Sequence, residues 1–134
     1  MNKVYKHIPM SADKYLGRVD QQGKVYAARF GPDRYIGRVD LRDGKVYASQ
    51  FGPDETVGRV EIESGEVYLS KPGPDPYVGK VQRDGRLYRH KSLAEDEYLG
   101  KVDDMVSVAH GAGAFLLLVL PESEQVNEET GASE

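Results

Sequence analysis

One short pattern recurs through most of this chain and limits what it can fold into. The segments "YLGRVDQQGKVY", "YIGRVDLRDGKVY", "TVGRVEIESGEVY", "YVGKVQRDGRLY" and a decayed "YLGKVDDMVSV" place a glycine at 17, 37, 58, 79 and 100, a period of 20 or 21. A period this short, held this many times, means one supersecondary unit packed against copies of itself. Within each unit, two runs of alternating β-branched and aromatic residues flank a glycine-bearing turn, which is the signature of a β-hairpin.

The hairpin register follows from the turns. Setting Asp20 opposite Lys24 leaves the loop Gln21, Gln22, Gly23, in which glycine takes the left-handed position at little cost. Val19 then faces Val25, Val39 faces Val46, Val60 faces Val67 and Val81 faces Leu87, with Gly17 and Gly37 opposite Ala27 and Ala48. This small, apolar face is the expected core. The other face pairs Arg18 with Tyr26, Arg38 with Tyr47, Arg59 with Tyr68 and Lys80 with Tyr88, and cross-strand cation–π pairs are expected there. The tyrosines that open the strands, Tyr15, Tyr35, Tyr77 and Tyr98, fall on the core face in this register, closing one end of the core with their hydroxyls.

Units are joined by "FGPD" at 30–33 and 51–54 and by "PGPD" at 72–75, which is turn chemistry. The chain start matches the second half of a unit, so its strand needs a partner from the C-terminal end or leaves an open edge. From Ala109 to Leu120 the sequence is apolar all round, which suits a buried helix or strand. The expected fold is all-β: about ten short antiparallel strands in a meander, curled or closed into a barrel, with the C-terminal apolar segment as plug or cap. An open, solenoid-like hairpin stack is the alternative. One domain spans 1–120, with units beginning near 15, 35, 56, 77 and 98, a half-unit at 3–14 and the apolar segment at 105–120. Residues 121–134 carry five Glu and no Lys or Arg, and are expected to form an acidic, disordered tail.

The opening "Y-x-G" of these hairpins resembles the MORN repeat, and "G-R-V-D…G-K-V" is similar to bacterial WG-type repeats. The second Gly-x-Gly of MORN units is absent, and Tyr or Thr stands where WG units carry Trp. The resemblance covers roughly residues 15–103 and implies a hairpin array, with no function attached.

Charge and composition narrow the function classes. The net charge is −4, and without the five tail Glu the body holds 18 basic and 17 acidic residues, close to +1. That is not the clustered basic excess of a nucleic-acid binder. The chain has no Cys, which removes disulfides and thiolate metal sites. With no apolar signal-type stretch at the start, a cytoplasmic location is expected. The longest apolar run, Ala114 to Leu120, is far short of the roughly 20 residues of a membrane-spanning helix.

Three constellations could carry chemistry. Arg18, Arg38, Arg59, Lys80 and Lys101, beside Tyr26, Tyr47, Tyr68 and Tyr88, form a candidate surface for an anionic polymer such as a polysaccharide or nucleic acid. Against this, Asp20, Asp40, Glu61 and Asp103 follow two residues later on the same face and can neutralise those cations. Asp13, Asp33, Asp54, Asp75 and Asp96 recur with the loops and are weak candidates for a cation site, since calcium needs several converging oxygens. His7, His90 and His110 share no ligand spacing, and "HGAGAF" at 110–115 lacks a nucleophile elsewhere to serve. No catalytic residue and no cofactor is expected. The reading is a non-enzymatic scaffold or interaction module, binding a protein partner or itself, with the anionic-polymer module as the alternative.

Overall fold

The computed structural model describes residues 2–124. Ten strands form: β1 Asn2–Lys6, β2 Lys14–Val19, β3 Lys24–Ala27, β4 Arg34–Val39, β5 Lys45–Ala48, β6 Glu55–Val60, β7 Glu66–Leu69, β8 Tyr77–Val81, β9 Arg86–Arg89 and β10 Glu97–Asp103. Each pairs with its sequence neighbours in antiparallel fashion, and β1 closes the barrel against β10, with Val4 opposite Val102. The lone first strand thus finds its partner at the far end of the array. The closed barrel, rather than the open stack, is the fold, and no strand edge among the described residues is left for a second chain to extend.

The hairpin register is the one the turns dictate. Val19 faces Val25, Val39 faces Val46, Val60 faces Val67 and Val81 faces Leu87, and Gly17 and Gly37 lie opposite Ala27 and Ala48. All eight of these valine and leucine side chains are buried. At the turns, Gly23 and Gly85 adopt φ of 92° and 96°, the left-handed geometry required by a three-residue loop. The carbonyl of Gly23 then accepts from Val39 N at 2.8 Å, so each turn also ties its hairpin to the next.

Between units the register is different from a simple alternation. Tyr5 pairs with Tyr15 but Val4 pairs with Gly17, so Leu16 is an extra residue, a β-bulge. Ile36, Val57, Val78 and Leu99 are the extra residues at the same point of the other units. Each bulge bends its strand and increases local twist, and five of them around the ring supply the curvature that closure needs. The bulge also reverses the face of the residue before it. Tyr15, Tyr35, Tyr77 and Tyr98 therefore stand on the outer face, cross-strand from Tyr5, Tyr26, Tyr68 and Tyr88, and not on the core face expected from strict alternation.

The barrel interior is filled by the C-terminal segment. Helix α1, Val108–Ala114, widens into a π-helical turn at Phe115–Val119 and continues through residues 120–124. It enters at the end that carries the hairpin turns. There Ser107 caps it, its Oγ 2.8 Å from His110 Nδ1, and His110 Nε2 lies 3.2 Å from the carbonyl of Gln21. A carbonyl only accepts, so Nε2 carries the proton and Nδ1 accepts from the Ser107 hydroxyl. His110 is a buried but fully partnered anchor. Asn2 fixes the same end, donating to Val19 O at 3.1 Å and accepting from Val106 N at 3.0 Å.

Glycine makes room first for the neighbouring strand, whose tyrosine carbonyl a Cβ at Gly37, Gly58 or Gly79 would overlap, and then for the helix. A Cβ at Gly37, Gly58 or Gly79 would lie 2.8, 2.8 or 2.6 Å from Leu117, Leu116 or Phe115 respectively. Three consecutive helix residues thus face three consecutive repeat units. An α-helix advances about 100° per residue, whereas five units share the circle; i→i+5 winding lowers the advance per residue and brings helix and barrel toward step. Residues 121–124, expected in the tail, continue this helix, and Ser123 Oγ donates to Val119 O while buried at 5% exposure. The rest of the expected tail, 125–134, lies outside the described residues.

Candidate functional site

With the interior occupied, chemistry can only be offered by the wall and the two ends. On the wall, Arg18 stacks over Tyr26 at 4.1 Å from the ring centroid, Arg38 over Tyr47 at 4.2 Å and Arg59 over Tyr68 at 4.4 Å. Lys80 is in register with Tyr88, and Lys101 lies 5.5 Å from the ring of Tyr5. The bulges then set the strand-opening tyrosines beside these rings, with centroids 5.5 Å apart for Tyr5 and Tyr15, 5.7 Å for Tyr26 and Tyr35, 5.6 Å for Tyr68 and Tyr77 and 5.5 Å for Tyr88 and Tyr98. The cations and tyrosines form one girdle, with a gap in the ring pairs at Tyr47, which faces Thr56, and a cation at Lys80 that is in register with Tyr88 without the stacking seen for the arginines.

The arginines of the girdle are neutralised from within. Arg18 Nε lies 3.1 Å from Asp33, Arg38 Nε 3.5 Å from Asp54 and Arg59 Nε 3.6 Å from Asp75. The loop aspartates therefore serve the cation column, each reaching the arginine of the preceding unit. In the two remaining loops a histidine takes the arginine's part: Asp13 and Asp96 lie 3.5 and 3.4 Å from Nδ1 of His7 and His90. Among the described residues no three His, Cys, Asp or Glu side chains converge to hold a metal ion, so the aspartate column is spread around the rim in pairs.

The acids expected to neutralise the cations divide by role. Glu61 and Asp103 do pair with Arg59 and Lys101. Asp20 and Asp40 instead cap their turns: Asp20 Oδ1 accepts from Gln22 N and Lys24 N at 2.9 Å, and Asp40 Oδ1 accepts from Arg42 N at 2.9 Å. The backbone N–H of Arg42 holds the Asp40 carboxyl below the usual range. Partial burial raises the hydroxyls of Tyr15, Tyr35, Tyr77 and Tyr98, reinforced by the nearby charges of Asp33, Asp54, Asp96 and Asp13. At Glu97, burial alone would push the carboxyl up, but the hydrogen bond and charge of Arg89, with Lys91, lower it.

The two ends of the barrel contrast. The hairpin-turn end projects mainly polar side chains, Gln21, Gln22, Arg42, Asp43, Glu63, Ser64, Arg83 and Asp84, beside the partly exposed Leu41, Ile62 and Val106 at 36%, 38% and 69%. The unit-joining loops at the other end project Met10, Phe30, Phe51, Pro72 and Leu93, spaced 20, 21, 21 and 21 residues apart. Met10, Phe30, Phe51 and Leu93 are 105%, 106%, 107% and 101% exposed, and Pro72 is exposed as well. Side chains this open touch almost nothing of their own protein.

From sequence alone these loops are turns, and the rim is not among the candidate sites. Its signal was visible in the Phe of "FGPD", a large apolar residue at a solvent-facing turn where Asp, Asn, Ser and Gly are the usual occupants. No protein-family model, curated protein or solved structure matches the chain, so the likeness to MORN and WG hairpins stays local and function has to be argued from geometry.

Proposed function

We propose that this protein is a non-enzymatic docking module, a rigid barrel that presents one rim of apolar loop tips to its target. The observation that carries the reading is that all five equivalent tips at one end are apolar and exposed, four of them completely, whereas the hairpin turns at the other end are mainly polar, with Leu41 and Ile62 only partly exposed. Exposed apolar residues scattered singly need no explanation. Five at one position of a repeat, gathered at one end by closure of the barrel, do. The arginines of the wall and the loop aspartates are engaged with one another, which supports a scaffold rather than a reactive surface.

The anionic-polymer reading draws less support. Each arginine of the column already has a carboxylate at its Nε side and a tyrosine ring beneath it. A polymer would have to displace those acids or bind beside them against their charge.

Photo-crosslinking in cells tests the docking reading. A benzophenone side chain replacing Phe30 is expected to form adducts with whatever the protein docks on, while the same group replacing Arg42 at the opposite end forms few. Equal capture from the two ends, or none from position 30, would contradict it.

A further inference from the structure

We infer that the surface on which the apolar rim docks is a lipid bilayer, entered by the loop tips alone; this rests on the docking reading above and names its partner. Three observations lead there. First, the tips protrude singly. A Cβ added at Gly31, Gly52 or Gly73, beside Phe30, Phe51 and Pro72, would meet nothing within 4 Å. Apolar anchors at protein interfaces sit in a packed patch with matching walls. Isolated projections without walls fit a soft medium that closes around each of them.

Second, the tips occupy one position of the repeat, on loops of six or seven residues that join the strands of a closed ring at the same end. A ring of projections at one end is suited to a flat surface.

Third, the loop backbone is prepared for a medium without water. Unpaired N–H and C=O groups are costly to carry into lipid. Pro9, Pro32, Pro53, Pro72 and Pro74 remove N–H donors at the tips. The carbonyls of Pro32 and Pro53 accept from Arg29 Nε and Gln50 Nε2, both at 3.0 Å, and Ser11 N donates to Ile8 O at 3.1 Å. Asp33, Asp54 and Asp75 are drawn back onto wall arginines, while Arg29, Lys71 and Glu95 are exposed near the tips.

This arrangement makes the apolar side chains the source of affinity, so a neutral phosphocholine surface is sufficient and salt has little influence. Flotation of the full chain with phosphatidylcholine vesicles, at low and moderate salt, measures it. The protein is expected to float in both conditions. Phe30→Ser with Phe51→Ser is expected to cut vesicle partition by at least about tenfold, with an unchanged melting curve because these rings contact nothing. Two results would overturn the inference: no flotation of the parent chain, or equal flotation of the double variant. If flotation fails while a benzophenone at position 30 still captures a protein, the rim docks on protein; lipid is then excluded and the docking reading stands.

Discussion

The valine column and the arginine column occupy neighbouring positions of the same strands, yet they do opposite work. Val39 is buried with 2% exposure, and a carboxylate in its place would be stranded inside the barrel beside Gly113. Arg38 has a stacked ring and an ion pair, but its side chain is 42% exposed. An exposed ion pair and a surface cation–π contact each contribute up to about 1 kcal/mol. Val39→Asp is therefore expected to cost more than about 4 kcal/mol or abolish folding, and Arg38→Ala about 2 kcal/mol or less. Urea denaturation of the two variants decides it, and equal losses would mean that the faces are assigned the wrong way round.

At the scale of the element, the bulge is the device that period-2 reasoning could not see. Alternation places Tyr15 and Gly17 on one face; the extra Leu16 puts them on opposite faces. The register within each hairpin was legible because a short turn with a left-handed glycine leaves only one pairing. The register between hairpins was not, because the six- and seven-residue loops tolerate a shift. The clue available was the strand glycine itself, since an isolated glycine in a strand often marks a bulge.

The third unit carries the same bulge and yet has a gap in its girdle. Thr56 stands opposite Tyr47 where other units bring two rings to 5.5–5.7 Å. Thr56→Tyr is expected to complete the pair and stabilise the protein by about 0.5 to 1 kcal/mol. A loss of stability in thermal melting would show that this unit is built differently from its copies.

At the scale of the whole molecule, three facts fit together: a ring of five bulges, a glycine column lining it, and a helix whose winding widens where it passes that column. The sequence indicated an apolar plug and room for it, because a segment apolar on every side has to be enclosed. It did not indicate where the plug ends. Pro121, Glu122 and Glu124 read as tail, yet Ser123 is buried and Lys14 reaches Glu122 in an ion pair at the barrel mouth. The same scale holds the functional argument. Individual loop tips look like ordinary turns, and only closure of the ring gathers them at one end.

The claim on which the rest depends is that the barrel is built around its C-terminal helix, so that binding is left to the outside. Calorimetric melting of two shortened chains tests this directly, one ending at Glu124 and one ending at Ser107. A single cooperative transition close to that of the full chain is expected for the first, and no cooperative transition for the second. A chain ending at Ser107 that still melted cooperatively near the full-length temperature would contradict it.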